Sequence, residues 1–119
     1  MSETTRSAFD AYQDEAARTM NPALDEPNRL LDAAAGLAEE AGEVLSHVRK
    51  HVLQGRSLDR IAVSEELGDA LWCVAIAARM LDMPLSEVAE RNIAKLRSRH
   101  AGGFVAAYDE RVRNTEQSR

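Results

Sequence analysis

Residues 65–78 read Glu65-Glu66-Leu67-Gly68-Asp69-Ala70-Leu71-Trp72-Cys73-Val74-Ala75-Ile76-Ala77-Ala78. Three acids lead into an apolar run that ends only at Arg79. From Ser57, a candidate N-cap, to about Leu81 the pattern predicts a helix that turns apolar on every side after Asp69. A helix of that kind must be buried all round. The run is far shorter than the roughly 18 to 20 residues a membrane span needs. No bilayer-spanning segment is expected.

Upstream, Leu30, Ala34, Leu37, Ala41, Val44, Leu45, Val48 and Val52 keep helical spacing and predict a helix from Arg29 to about Leu53, stopped by Gln54-Gly55. Residues 22–28, with Pro22, Asp25, Glu26 and Pro27, read as a loop. Before it, Phe9, Tyr12, Ala16 and Met20 mark one face of an amphipathic helix from about Thr5 to Met20, closed by Asn21-Pro22. Downstream, Asp82-Met83-Pro84 breaks the buried helix. A fourth helix starts with Ser86 as N-cap and turns Val88, Ile93 and Leu96 inward. After Gly102-Gly103 a short fifth helix is expected over Phe104 to Val112, then a polar tail over 113–119. No alternating strand pattern occurs. The expectation is a compact all-α bundle of four to five helices in one domain over 1–119, with its core at about 5–112.

Composition narrows the function. The 119 residues hold 15 Lys and Arg against 20 Asp and Glu, a formal charge of −5, with a pI near 5.2. A general basic surface for a nucleic-acid polymer is therefore not expected. Cys73 is the one cysteine, which leaves no intramolecular disulfide framework and no paired-cysteine zinc site. The polar, acidic start of the chain lacks an apolar signal core, so the expected location is the cytoplasm.

The chemistry lies in two echoing clusters, Glu39-Glu40-Ala41-Gly42-Glu43 and Glu65-Glu66-Leu67-Gly68-Asp69. Residues three apart on a helix are neighbours, so Glu40 can converge with Glu43, and Glu66 with Asp69. Glu66 and Asp69 share their side of the helix with Ala62, Cys73, Ala77 and Met80, a side that becomes wholly apolar one turn later. An exposed stripe would continue polar. Four carboxylates meeting between helices must protonate, splay or bind a cation. Oxygen-only ligation selects a hard ion, so Mg²⁺ is expected, with Mn²⁺ as a substitute. A di-iron site would need Glu-x-x-His, and none of His47, His51 or His100 has a Glu three residues before it. Glu43, His47 and His51 stack at helical spacing, yet with Arg49 and Lys50 among them they read as a solvated basic helix end. The histidines are left out of the expected site.

These residues resemble the MazG-like all-α nucleoside triphosphate pyrophosphohydrolases. The likeness runs in order through Ala11-Tyr12-Gln13 to Thr19, Gly36 to Val44, Glu65 to Trp72, and Asn92-Ile93-Ala94-Lys95-Leu96-x-x-Arg99 followed by Gly102-Gly103-Phe104. It covers roughly Ala11 to Phe104. The resemblance implies Mg²⁺-dependent hydrolysis of a nucleoside or deoxynucleoside triphosphate to the monophosphate and pyrophosphate, in nucleotide-pool sanitation. It makes Glu40, Glu43, Glu66 and Asp69 the metal ligands. Glu39 resembles the residue that takes the attacking water's proton, although by helical geometry it points about 100° away from Glu40 and also reads as an exposed glutamate. Asn92, Lys95 and Arg99 fall on one stripe of the fourth helix and are the expected phosphate contacts; basic residues also suit the C-terminal end of a helix dipole. Trp72 reads as core, with base stacking as the alternative, and Tyr12 and Gln13 fit either helix packing or substrate contact.

Two other readings stand beside this one. Phosphoribosyl-ATP pyrophosphatase is a relative with a similar quartet, but residues 65–72 look less like that branch, which typically carries Ala-rich residues before its Asp and Tyr-His after it. A non-enzymatic helical interaction module with a structural ion is the other. Assembly follows from the third helix: Trp72, Ile76 and Met80 project opposite to Leu67, Val74 and Leu81, and a short chain cannot cover both sets. A homodimer or dimer of dimers is expected, with Ile76 at the interface, unless Phe9, Tyr12 and Ala16 of the first helix cover the second side.

Overall fold

Residues 1–101 are described by the computed structural model. Within them lie four helices and no strand: α1 (Glu3–Ala17), α2 (Glu26–Gln54), α3 (Arg60–Met80) and α4 (Leu85–Arg99). The all-α expectation holds. The fifth helix expected over 104–112 and the tail over 113–119 fall outside the described residues. Residue contacts divide the chain into two compact units, Met1–Ser86 and the part from Glu87 on. No helix among the described residues is long and apolar enough to cross a membrane.

Helix boundaries depart from the pattern where side chains cap differently. Ser2 caps α1 by accepting from the Thr5 N–H at 3.1 Å, which starts the helix earlier than Thr5. At its other end, N–H groups of Arg18, Thr19 and Met20 bond back three residues, tightening the chain into turns before Pro22. The expected loop over 22–28 is shorter, because Asp25 accepts from the Asn28 N–H at 3.0 Å and caps α2. Pro27 thus sits in the first turn, where a missing N–H costs nothing. Asp59 caps α3 through the Ala62 N–H, replacing Ser57. Gly55 ends α2 at φ 66°, a left-handed backbone that glycine takes without a Cβ penalty. Ser86 is not the cap of α4 but a buried residue inside it.

A connection over 55–59 returns the chain, so α2 and α3 run antiparallel: Gly36 lies by Cys73, and further along α2 His47 lies by Glu66. The helices approach closely. A Cβ added at Gly36 would stand 2.9 Å from the Cys73 sulfur. α1 packs on another side of α3, where Trp72 Nε1 donates to Thr19 Oγ1 at 2.8 Å and the Ala16 carbonyl at 3.2 Å. Ala16, Ala33, Ala75, Ile76 and Leu85 form the buried cluster, with Phe9, Tyr12, Trp72 and Met80 against it.

This corrects the expected interface. Ile76 is 2% exposed and Trp72 is half-buried and bonded, so the Trp72–Ile76–Met80 side is the one α1 covers. Of the opposite set, Leu67 is 55% and Leu81 61% exposed, while Val74 is half-buried against the cluster.

Candidate metal centre

Glu40 of α2 and Glu66 and Asp69 of α3 face one another across the hairpin. One oxygen from each lies within 4.8 Å of the others. The arrangement follows from local spacing plus register: Glu66 and Asp69 are one turn apart on α3, and the Gly36–Cys73 approach brings α2 alongside. Glu40 and Glu66 are half-buried and Asp69 is exposed, so the group opens to solvent on one side.

Glu40 feels the crowding most. Its carboxyl is pushed up to about 7, first by a hydrogen bond with Glu66 that only a proton permits, then by burial, then by the charges of Glu66, Asp69 and Glu39. Its Oε2 has essentially no solvent exposure and no hydrogen-bond partner. An orphaned carboxylate oxygen costs free energy that a cation can recover. Three converging carboxylates with such an oxygen fit a hard divalent ion. The same field reaches its neighbours: burial and then Glu40, Asp32, Asp69 and Glu39 raise the Cys73 thiol, while burial, Asp69 and Cys73 raise Tyr12.

The remaining expected residues stand elsewhere. Glu43 is exposed on α2 and outside the group of three. The same three-residue spacing brings Glu66 and Asp69 together on α3, so it is the way α3 lies against α2, and not the spacing, that leaves Glu43 outside. Glu39 is exposed, close enough for its charge to act on Glu40. Asn92, Lys95 and Arg99 are exposed along α4 at the expected helical spacing, in the second unit.

His47 Nε2 lies 3.8 Å from Glu66 Oε1, so this histidine borders the acidic group without joining it. His51 pairs its Nδ1 with the Arg56 carbonyl just past the end of α2. The signal was in the sequence, since position 47 follows Glu40 and Glu43 on one stripe of α2. Gln13 and Trp72 resolve as structural. Gln13 is buried and bonds to backbone at Ala75, Met83 and Leu85, and the Trp72 indole is engaged by α1.

The Gene 37 protein of Mycobacterium phage L5 is 40% identical over a 77-residue alignment, covering 59% of this chain and 65% of that protein. The chain thus spans a little under two thirds of the length of the curated relative it matches. No solved structure matches it. The sequence model of the MazG nucleotide pyrophosphohydrolase domain matches residues 29–104, which take in Glu40, Glu66 and Asp69 as well as Asn92, Lys95 and Arg99. With more than half of its length so matched and its acids converging between two antiparallel helices, the chain belongs to the MazG nucleotide pyrophosphohydrolase family.

Proposed function

We propose that the protein hydrolyses a nucleoside or deoxynucleoside triphosphate to the monophosphate and pyrophosphate, using Mg²⁺ held by Glu40, Glu66 and Asp69, with Glu43 completing the set. The convergence of three carboxylates from two helices, one with an orphaned oxygen, carries this reading. A divalent ion there supplies charge neutralisation for the triphosphate and lowers the pKa of a bound water. The chain's residues divide the remaining work. Glu40 would hold the ion as a carboxylate, giving up the proton that its hydrogen bond with Glu66, then burial and like charges, keep on it. Glu39 accepts the proton of the attacking water from the solvent side of α2. Lys95, Asn92 and Arg99 meet phosphate oxygens and the charge that grows on the leaving pyrophosphate. Mn²⁺ substitutes for Mg²⁺, because both accept oxygen ligands. We infer a role in nucleotide-pool sanitation in the cytoplasm.

A second copy of the chain belongs to the same proposal. Leu67 and Leu71 of α3, Leu81 just past its end, and Leu45, Val48 and Val52 of α2 are exposed. Covering them with a second copy removes apolar surface from water, the driving force for a two-fold pair. The resulting homodimer or dimer of dimers is the assembly expected to act.

The test is product analysis with Mg²⁺ over a panel of canonical and damaged (d)NTPs. Pyrophosphate and the monophosphate are the expected products. Orthophosphate as first product would overturn the reading, and so would Mg²⁺ binding that ignores a non-hydrolysable nucleotide.

A further inference from the structure

The turn from α3 into α4 is held by α1 through side chains that take no part in the acidic group. The Leu81 N–H bonds back to the carbonyls of Ala77 and Ala78, and the Met83 N–H to Ala78 at 3.0 Å. Between them Asp82 adopts φ 53°, a left-handed backbone that a non-glycine residue keeps only when its surroundings over-determine it. Gln13 supplies part of that constraint. Its amide nitrogen donates to the carbonyls of Met83 and Ala75, each at 3.1 Å, and its Oε1 accepts from the Leu85 N–H at 3.0 Å. One turn earlier on α1, Asp10 Oδ1 accepts from the Ser86 N–H at 3.0 Å, and Oδ2 from the Ser86 hydroxyl at 2.9 Å. Gln13 and Ser86 are each 5% exposed. The first amides of α4, which a helix leaves without intrahelical acceptors, are thus satisfied from another helix. The first compact unit ends at Ser86, so Asp10 grips its last residue, and Asn92, Lys95 and Arg99 follow on α4.

We propose that Asp10 and Gln13 are positioning residues that clamp the start of α4 and thereby set how tightly its Asn92, Lys95 and Arg99 hold the triphosphate. The inference rests on the reading of α4 as the phosphate-binding helix. Neither residue touches nucleotide or metal ion. Removing the Asp10 carboxylate leaves two buried donors on Ser86 without acceptors, a penalty the chain relieves by letting the start of α4 shift or fray. Removing the Gln13 amide frees the Asp82 turn in the same way.

The experiment compares wild type with Asp10→Ala, Asp10→Asn and Ser86→Ala in the full chain. Asp10→Ala is expected to raise KM for the triphosphate about 10-fold while kcat changes by less than about 3-fold, the pattern of lost binding and not of lost chemistry. Mn²⁺ affinity, titrated without nucleotide, stays at the wild-type value. Asp10→Asn restores KM, because its Oδ1 accepts the Ser86 N–H and its amide donates to the Ser86 oxygen. Amide exchange quickens across 87–99 in Asp10→Ala and is unchanged across 60–80. Should Asp10→Ala fail to fold, Ser86→Ala, which removes one hydroxyl, gives the same pattern at about 2- to 3-fold. Unchanged exchange across 87–99, or equal losses of nucleotide and Mn²⁺ affinity, would overturn the clamp. A wild type that neither binds nor hydrolyses triphosphate would instead overturn the functional reading, with the exchange result still judging the clamp alone.

Discussion

The two acidic motifs are written almost alike, yet the fold uses them differently. On α3, Glu65-Glu66-Leu67-Gly68-Asp69 delivers both of its spaced acids, Glu66 and Asp69, to one point. On α2, Glu39-Glu40-Ala41-Gly42-Glu43 delivers Glu40 to that point and leaves Glu43 exposed outside the group. The first acid of each motif, Glu39 or Glu65, is exposed. Helical spacing states which acids can share a face, whereas the neighbouring helix selects which of them meet. Glu40 is the acid that crosses to the other motif's pair, and its carboxyl is pushed up to about 7 there.

Substitution separates the two motifs most sharply. Glu66→Gln and Asp69→Asn are expected to lower turnover at least about 100-fold, and Glu40→Gln as much, because each removes a ligand that positions the ion. Glu43→Gln is expected to cost about 10-fold, in keeping with a residue at the edge of the site. Steady-state rates at saturating Mg²⁺ measure this. Near-normal rates in two of the first three variants would break the ligand assignment, and a loss in Glu43→Gln equal to theirs would restore the symmetry of the motifs.

Assembly offers the next contrast, between the two sides of α3. Leu81→Glu is expected to halve the mass seen by light scattering while the helical signal survives. Ile76→Glu is expected to unfold the chain outright, because it forces a charge into the cluster with Ala33 and Ala75. A folded Ile76→Glu with reduced mass would return the interface to the side α1 covers.

Acidity gives a separate test of Glu40. Without metal, the folded carboxyl titrates near 7 against 4.5 for the free side chain. The unfolded chain therefore ionises first, and its contribution to stability, present in full below about 4.5, is lost as pH rises towards about 7. Denaturant midpoints of the metal-free protein should fall across that window. Mg²⁺ should reverse the fall, and Glu40→Gln should abolish it. A flat profile in wild type would deny the strain on Glu40.

The smallest effect is expected at His47, whose ring stands 3.8 Å from Glu66, too far for a direct hydrogen bond. His47→Gln should change Mg²⁺ affinity by about 2- to 3-fold, read by calorimetry. A loss as large as that of Glu66→Gln would make His47 a ligand.

Much of this is legible in the sequence. The apolar periodicity from Leu30 to Val52, the run from Ala70 to Ala78 and the breaks at Gly55 and Asp82 fix the helices, because backbone hydrogen bonding and side-chain periodicity are local. So is the pairing of Glu66 with Asp69, one turn apart on a single helix. Capping was less legible, since Ser57 and Asp59 are both acceptable caps and only chain geometry chooses between them. What required the tertiary structure is everything carried between helices. The contact of Gly36 with Cys73 sets the register that lets Glu40, and not Glu43, meet the acids of α3. The docking of α1 on Trp72 and Ile76 decides which side of α3 is left bare. Those choices depend on which surfaces interlock across tens of residues of sequence, and one helix's spacing holds no record of its partner's position.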